Sequence, residues 1–149
     1  MPTSDLWALD THIWIRVLNE DPELTHPAFL ESLEKVAKAS GLRLAAISLW
    51  ETAMLVSKGR LRLTLPVQDW ISRGLQMPGL QLVPLGPELA VDSCFLPGDF
   101  HGDPADRLIV ATARHLGATL LTFDQAILDY GAQGWVSVGD PRDFHVRYH

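Results

Sequence analysis

A single cysteine, Cys94, excludes an intrachain disulfide and any cysteine-based metal site, and it reads as a small packing residue. No apolar run approaches the ~20 residues of a membrane-spanning helix. The opening Met1-Pro2-Thr3-Ser4-Asp5 carries no basic stretch of the kind that begins a secretory signal. Together these absences lead us to expect a cytoplasmic protein with no membrane association. Positive charge is also scarce: 12 Lys and Arg stand against 18 Asp and Glu, a formal net charge of −6. That balance argues against a general nucleic-acid binder. It leaves room for a nuclease, because carboxylates committed to a metal site are offset locally by the cations they hold. The one basic cluster, Lys58, Arg60 and Arg62, reads as a solvated helix end and loop. His101, His115, His145 and His149 show no ligand spacing such as His-Glu-x-x-His, so a histidine-zinc site is not expected. A Gly-x-Ser-x-Gly elbow, a P-loop and a Gly-x-Gly-x-x-Gly turn are missing too, which removes a hydrolytic serine and nucleotide cofactors as obvious chemistry.

What remains is ordinary in composition, 47% hydrophobic and 20% charged over 149 residues, and fits one domain spanning 1–149. Strand-like and helical patterns alternate along it. Short strands are predicted at Leu6 to Leu9, Leu42 to Ile47, Leu80 to Leu85 and Ala118 to Thr122, with an edge strand at Trp135 to Val138. Helices are predicted at Thr11 to Leu18, Pro27 to Ser40 closed by Gly41, Ser48 to Ser57, Val67 to Met77, Pro87 to Cys94 and Ala105 to Leu116, with a short one from Gln125 to Asp129. Trp14, Trp50 and Trp70 sit on apolar faces and read as core. Strands separated by helices require crossover connections, hence a mostly parallel sheet of four to five strands covered on both faces: a three-layer α/β/α sandwich.

Four carboxylates stand out by position. Asp10 ends Leu6-Trp7-Ala8-Leu9-Asp10, Glu51 follows Ile47-Ser48-Leu49-Trp50, Asp106 lies in Asp103-Pro104-Ala105-Asp106-Arg107, and Asp124 ends Leu121-Thr122-Phe123-Asp124. Open parallel sheets bind ligands outside the carboxyl ends of their strands, and each of these acids is expected at that edge. Each also has a plain structural reading. Ser48-Leu49-Trp50-Glu51 is a capping-box pattern, Asp103 is a plausible N-cap with Asp106 at N3, and Asp10 and Asp124 can both cap helices. Capping accounts for any one of them, but it does not predict all four at strand ends in one αβ order. His12 either lines the same edge or faces solvent.

On these residues the chain resembles PIN-domain proteins, specifically the VapC-type ribonuclease toxins of prokaryotic toxin–antitoxin systems. The resemblance is carried by Leu9-Asp10-Thr11-His12-Ile13-Trp14, Ser48-Leu49-Trp50-Glu51, Asp103-Pro104-Ala105-Asp106-Arg107-Leu108-Ile109-Val110-Ala111 and Leu120-Leu121-Thr122-Phe123-Asp124, in this order and over nearly the whole length. It implies that Asp10, Glu51, Asp106 and Asp124 form a catalytic metal site for Mg²⁺ or Mn²⁺, with Asp10 and Asp106 the most direct ligands. Asp103, Thr11 and Thr122 would be auxiliary, Thr11 having helix capping as its simpler reading. It further implies hydrolysis of RNA phosphodiester bonds to a 5′-phosphate and a 3′-hydroxyl, a homodimer, and a VapB-type antitoxin whose C-terminal segment crosses the active-site groove. The helices Pro27 to Ser40 and Val67 to Met77 are candidate partner surfaces on amphipathicity alone. Three rival readings are kept: a DNA or structure-specific nuclease using the same acids, a binding module whose acids are mostly caps, and an aspartyl-phosphate phosphatase. The last normally needs a second Asp two positions after the first, where this chain has His12.

Overall fold

The computed structural model describes residues 5–144. Five strands, β1 (Trp7–Leu9), β2 (Leu42–Ala45), β3 (Leu80–Val83), β4 (Thr119–Leu121) and β5 (Ser137–Gly139), form one parallel sheet in the order β3-β2-β1-β4-β5. The helices are α1 (Thr11–Leu18), α2 (Pro27–Lys38), α3 (Ile47–Ser57), α4 (Val67–Gly74), α5 (Pro87–Cys94), α6 (Pro104–Leu116) and α7 (Gln125–Ala132). This is the expected α/β/α sandwich.

The strands alternate their side chains between two cores, as a period of two demands. Trp7 and Leu9 of β1, Leu42 and Leu44 of β2, and Leu121 of β4 point into one core with Trp14, Phe29, Leu33 and Trp70 from α1, α2 and α4. Ala8, Ala45 and Leu120 point the other way, against Ile109, Val110, Ile127 and Tyr130 of α6 and α7. Trp14 is fully buried, edge-on to Trp70 at 5.2 Å, and packed so tightly that a Cβ on Gly74 would lie 2.7 Å from its ring. The apolar faces of α2 and α4 are therefore consumed inside the molecule, where Phe29, Leu33 and Trp70 are buried. Core packing accounts for much of their amphipathicity, while Leu30 of α2 stays exposed. Trp50 departs from its expected place in the core and is 59% exposed. Cys94 is exposed as well.

Several boundaries differ from expectation by a few residues. Helix α2 stops at Lys38, and the left-handed residue that closes it is Ser40 (φ 56°), not Gly41. The amide of Gly41 reaches back to Val36 O and that of Ser40 to Ala37 O, the paired bonds of a Schellman ending. Gly41 is required instead by crowding, since a Cβ there would lie 2.5 Å from the Asp5 carbonyl oxygen. Strand β2 ends at Ala45, and α3 begins at Ile47 with Ala46 as an N-cap that makes no side-chain bond. Helix α4 stops at Gly74, short of the predicted Met77.

Candidate metal centre

Strand order fixes where a ligand can enter. From the central β1 the chain winds outward through β2 and β3, then returns to β4 on the opposite flank of β1. The switch point, where connections diverge and leave a crevice, lies at the carboxyl ends of β1 and β4. Leu9 pairs with Leu121 in register, so the residues that follow, Asp10 and Thr122, come out side by side. Helix α3 leaves β2 at the same edge with Glu51 on it. Helix α6 runs back antiparallel to the strands, which brings its N-terminal Asp103 and Asp106 to that edge too.

The hydrogen bonds bind these residues into one unit. Asp10 is buried; its Oδ1 accepts from the Thr11 amide at 2.8 Å and its Oδ2 from the Thr122 hydroxyl at 2.7 Å. Thr122 Oγ1 in turn accepts from the Asp124 amide at 2.9 Å, so one hydroxyl joins the loops after β1 and β4. Asp124 caps α7 through Ile127 N, and Asp103 caps α6 by accepting from Asp106 N at 2.8 Å. For Glu51 the capping-box alternative fails. With α3 beginning at Ile47, Ser48 lies inside the first turn and no capping box forms. The Glu51 carboxylate accepts from the Thr11 hydroxyl at 2.6 Å, and Thr11 Oγ1 also stands 2.7 Å from the fully buried Ser48 Oγ. Thr11 therefore ties the first acid to the second instead of capping a helix. Ser48 was read from the sequence only as a cap; its spacing of three from Glu51, one helical turn, was the available signal of a shared face.

Charge completes the picture. Asp106 is pushed up to about 7, first by partial burial and then by the negative charges of Asp103, Asp10, Asp124 and Glu51. The four other acids are thus all within electrostatic reach of Asp106. Asp10 and Glu51 are also raised, in each case chiefly by burial, with Asp124 adding to the rise at Asp10 and with Asp10 and Asp103 adding to it at Glu51. The exposed His12 lowers both, which places it at the rim of the site. Carboxylates forced together in this way are short of a cation. The donor set is all oxygen, as hard divalent ions prefer. A second group of potential ligands, Glu88, Asp92 and His115, has its ligand atoms within 4.8 Å of one another, but it lies exposed on α5 and α6 and includes none of these acids. His115 and Glu88 there already face each other as an ion pair at 3.5 Å. Lys58, Arg60 and Arg62 are exposed, as expected.

Acids gathered at the carboxyl edge of a 3-2-1-4-5 parallel sheet define the class, an α/β domain with an acidic site suited to divalent-metal chemistry. Comparison with known proteins narrows it. The PIN domain model matches residues 8–132. Ribonuclease VapC22 of Mycobacterium tuberculosis (strain ATCC 25618 / H37Rv) is 34% identical over 122 residues, covering 80% of this chain and 87% of that protein. Among solved structures, VapBC2 from Rickettsia felis bound to a DNA fragment from its promoter superimposes with a TM-score of 0.67 at 20% identity, covering 91% of this chain and 98% of the other. DNA-bound VapBC from Salmonella typhimurium gives 0.65 at 15% identity with the same coverage. FitAcB from Neisseria gonorrhoeae gives 0.63 at 20%, again with 91% and 98% coverage. The chain belongs to the PIN-domain family.

Proposed function

We propose that this chain is a metal-dependent endoribonuclease, the toxin component of a type II toxin–antitoxin pair, and that residues 1–149 form a single PIN domain. The observation that carries the reading is the gathering of Asp10, Glu51, Asp106 and Asp124 at one crevice, with Asp103 beside them and Asp106 raised to about 7 by its neighbours. The relative named a ribonuclease, 34% identical over most of both chains, supports RNA as the substrate. Asp10, Glu51, Asp106 and Asp124 would hold Mg²⁺ or Mn²⁺, which supplies charge neutralisation at the scissile phosphate and a more acidic water as nucleophile.

The chain's own groups do the rest. The Thr122 hydroxyl and the Thr11 amide hold Asp10, the Thr11 hydroxyl holds Glu51, and the Ile127 amide holds Asp124, so these three acids are fixed before substrate arrives. Asp103 serves as the cap that orients the start of α6 under Asp106. Single-stranded or looped RNA fits an open crevice because its backbone can enter and its bases can stack on aromatics.

A VapB-type antitoxin is the partner suggested by the VapBC and FitAcB structures that share this fold. An arginine from such a partner would be drawn to the acid cluster. A homodimer and a cytoplasmic site of action complete the reading. Among the described residues no helix is long and apolar enough to cross a membrane.

The test is cleavage of a mixed RNA by the purified chain with Mn²⁺ or with EDTA, alongside matched DNA and an Asp106→Asn control. RNA cleavage that needs metal and is absent from the variant is the expected result. Cleavage that survives EDTA or the substitution would sink the metal assignment, and preference for DNA would overturn the substrate.

A further inference from the structure

Ser48 has no part in the metal ligation proposed above, yet it is fully buried beside the site with its hydroxyl on Thr11. The proton count decides what that contact does. A threonine hydroxyl has one proton to donate, and two oxygens lie within bonding distance of Thr11 Oγ1: Glu51 Oε1 at 2.6 Å and Ser48 Oγ at 2.7 Å. An ionised carboxylate can only accept. The geometry sets Thr11 Oγ1 as the donor at both contacts, which one proton cannot serve. With Glu51 ionised as a metal ligand the proton goes to Glu51, and Ser48 has to turn its own proton toward Thr11 Oγ1 to keep the 2.7 Å contact. The result is a directed chain, Ser48 to Thr11 to Glu51, running from the interior to the crevice.

We propose that Ser48 is a positioning residue for the metal centre: its hydroxyl locks the orientation of the Thr11 hydroxyl, which in turn fixes the Glu51 carboxylate. This rests on the metal-dependent reading of the site. Glu51 depends on such help more than Asp10 or Asp124 does. Asp10 receives bonds from a backbone amide and from Thr122, and Asp124 receives one from a backbone amide, whereas Glu51 is held by a hydroxyl that can rotate. Its side chain is also one torsion longer than aspartate. Thr11 sits at the first position of α1 with its amide on Asp10, so an ordered Thr11 keeps the two acids in fixed relation. With alanine at 48, Thr11 keeps its bond to Glu51 but loses the group that sets its direction. Outer partners of metal ligands commonly matter by about 10-fold or more in metal affinity.

The rival reading is that Ser48 merely ties α1 to α3. A double-mutant cycle on Mn²⁺ affinity, measured by calorimetry on the intact chain, separates the two. Wild type, Ser48→Ala, Glu51→Gln and the double variant are compared, with Thr52→Ala as a control. Thr52 is a second buried hydroxyl of α3, and it bonds only the Ser48 carbonyl oxygen, at 2.8 Å. Ser48→Ala is expected to weaken Mn²⁺ binding by about 10-fold in the wild type and by less than about twofold once Glu51 is glutamine. Thr52→Ala should leave the affinity where it was. In RNA cleavage the Ser48→Ala loss should fall on kcat and not on KM. Should Ser48→Ala not fold, Ser48→Cys, with its weaker donor, takes its place in the same cycle. Unchanged Mn²⁺ affinity in the Ser48 variant, or an equal loss in both backgrounds, overturns the positioning role. If Glu51→Gln itself leaves Mn²⁺ affinity untouched, the reading of the metal site fails instead.

Discussion

Replacing Asp106 by asparagine should stabilise the metal-free protein, and the gain should depend on pH as the burial and crowding of that carboxyl require. Asp106 rises from an ordinary 3.8 to about 7 in the fold. A carboxyl with a raised pKa holds its proton in the native state after the unfolded chain has lost it. Between about pH 4 and pH 7 the native state therefore binds more protons than the unfolded state, and stability falls as pH rises. At ~1.36 kcal/mol for each pH unit, the full rise would be worth ~4 kcal/mol. Asp106 is only partly buried, so solvent screening reduces this to about 1–2 kcal/mol. The substitution removes the charge but leaves the Asp106 amide on the Asp103 cap. In EDTA, Asp106→Asn and wild type should be nearly equal near pH 4, and the variant should lead by about 1–2 kcal/mol at pH 8. For a chain of this size that is roughly 3–6 °C in melting temperature. Urea denaturation at four or five pH values reads the difference directly. Adding Mn²⁺ at pH 8 should reverse the order, because wild type gains more from binding. Parallel pH profiles for the two proteins, or a variant less stable at pH 8 in EDTA, would refute the claim that burial and the neighbouring acids raise Asp106.

Two further outcomes follow from packing and hydrogen bonding. Thr122→Val keeps the volume but strips Asp10 of a donor and the Asp124 amide of its acceptor. It should cost about 1–3 kcal/mol in urea denaturation of the metal-free protein, and an unchanged midpoint would show that the bridge carries no load. Trp14→Ala, at a fully buried ring, should lose about 3–5 kcal/mol. Trp50→Ala, at a ring 59% exposed, should stay within about 0.5 kcal/mol by the same measurement. Similar losses for the two would contradict the burial described above.

The sequence carried the order of elements well because burial on both faces of a parallel sheet leaves dense apolar strands set between amphipathic helices. Boundaries were less legible where tertiary contact overrides local preference. Gly41 looks like a helix terminator, yet Ser40 takes the left-handed turn, and position 41 is glycine because the space against Asp5 admits no Cβ there. Trp50 looks like core because tryptophan usually is, and nothing local marks the face of α3 that points outward. The capping box at Ser48 failed for a related reason. Helix α3 begins one residue earlier than its pattern suggests, so Ser48 and Glu51 turn together toward Thr11, a residue 37 positions from the serine and 40 from the glutamate. A contact across that distance leaves no mark on the local pattern.

Capping and metal binding looked like competing explanations for these acids, and the structure shows why both can hold. Helices that pack on a parallel sheet run antiparallel to its strands, so their N-termini gather at the carboxyl edge. An acid there meets unpaired amides and the positive end of the helix dipole. Asp10 and Asp124 each accept from such amides, and Asp103 does the same for α6. A carboxylate has room for about four hydrogen bonds or ligand contacts, and a cap uses one. Capping therefore does not withdraw the acid from the crevice; it fixes one oxygen and limits the motion of the other. Glu51 has no amide to hold it and takes a hydroxyl from another helix instead. Asp106 donates its amide to the Asp103 cap, and its carboxyl is pushed up to about 7 by burial and by the surrounding acids. Counter-charge should accordingly matter at Asp106 and side-chain anchoring at Glu51, a division that the two substitution series above can measure separately.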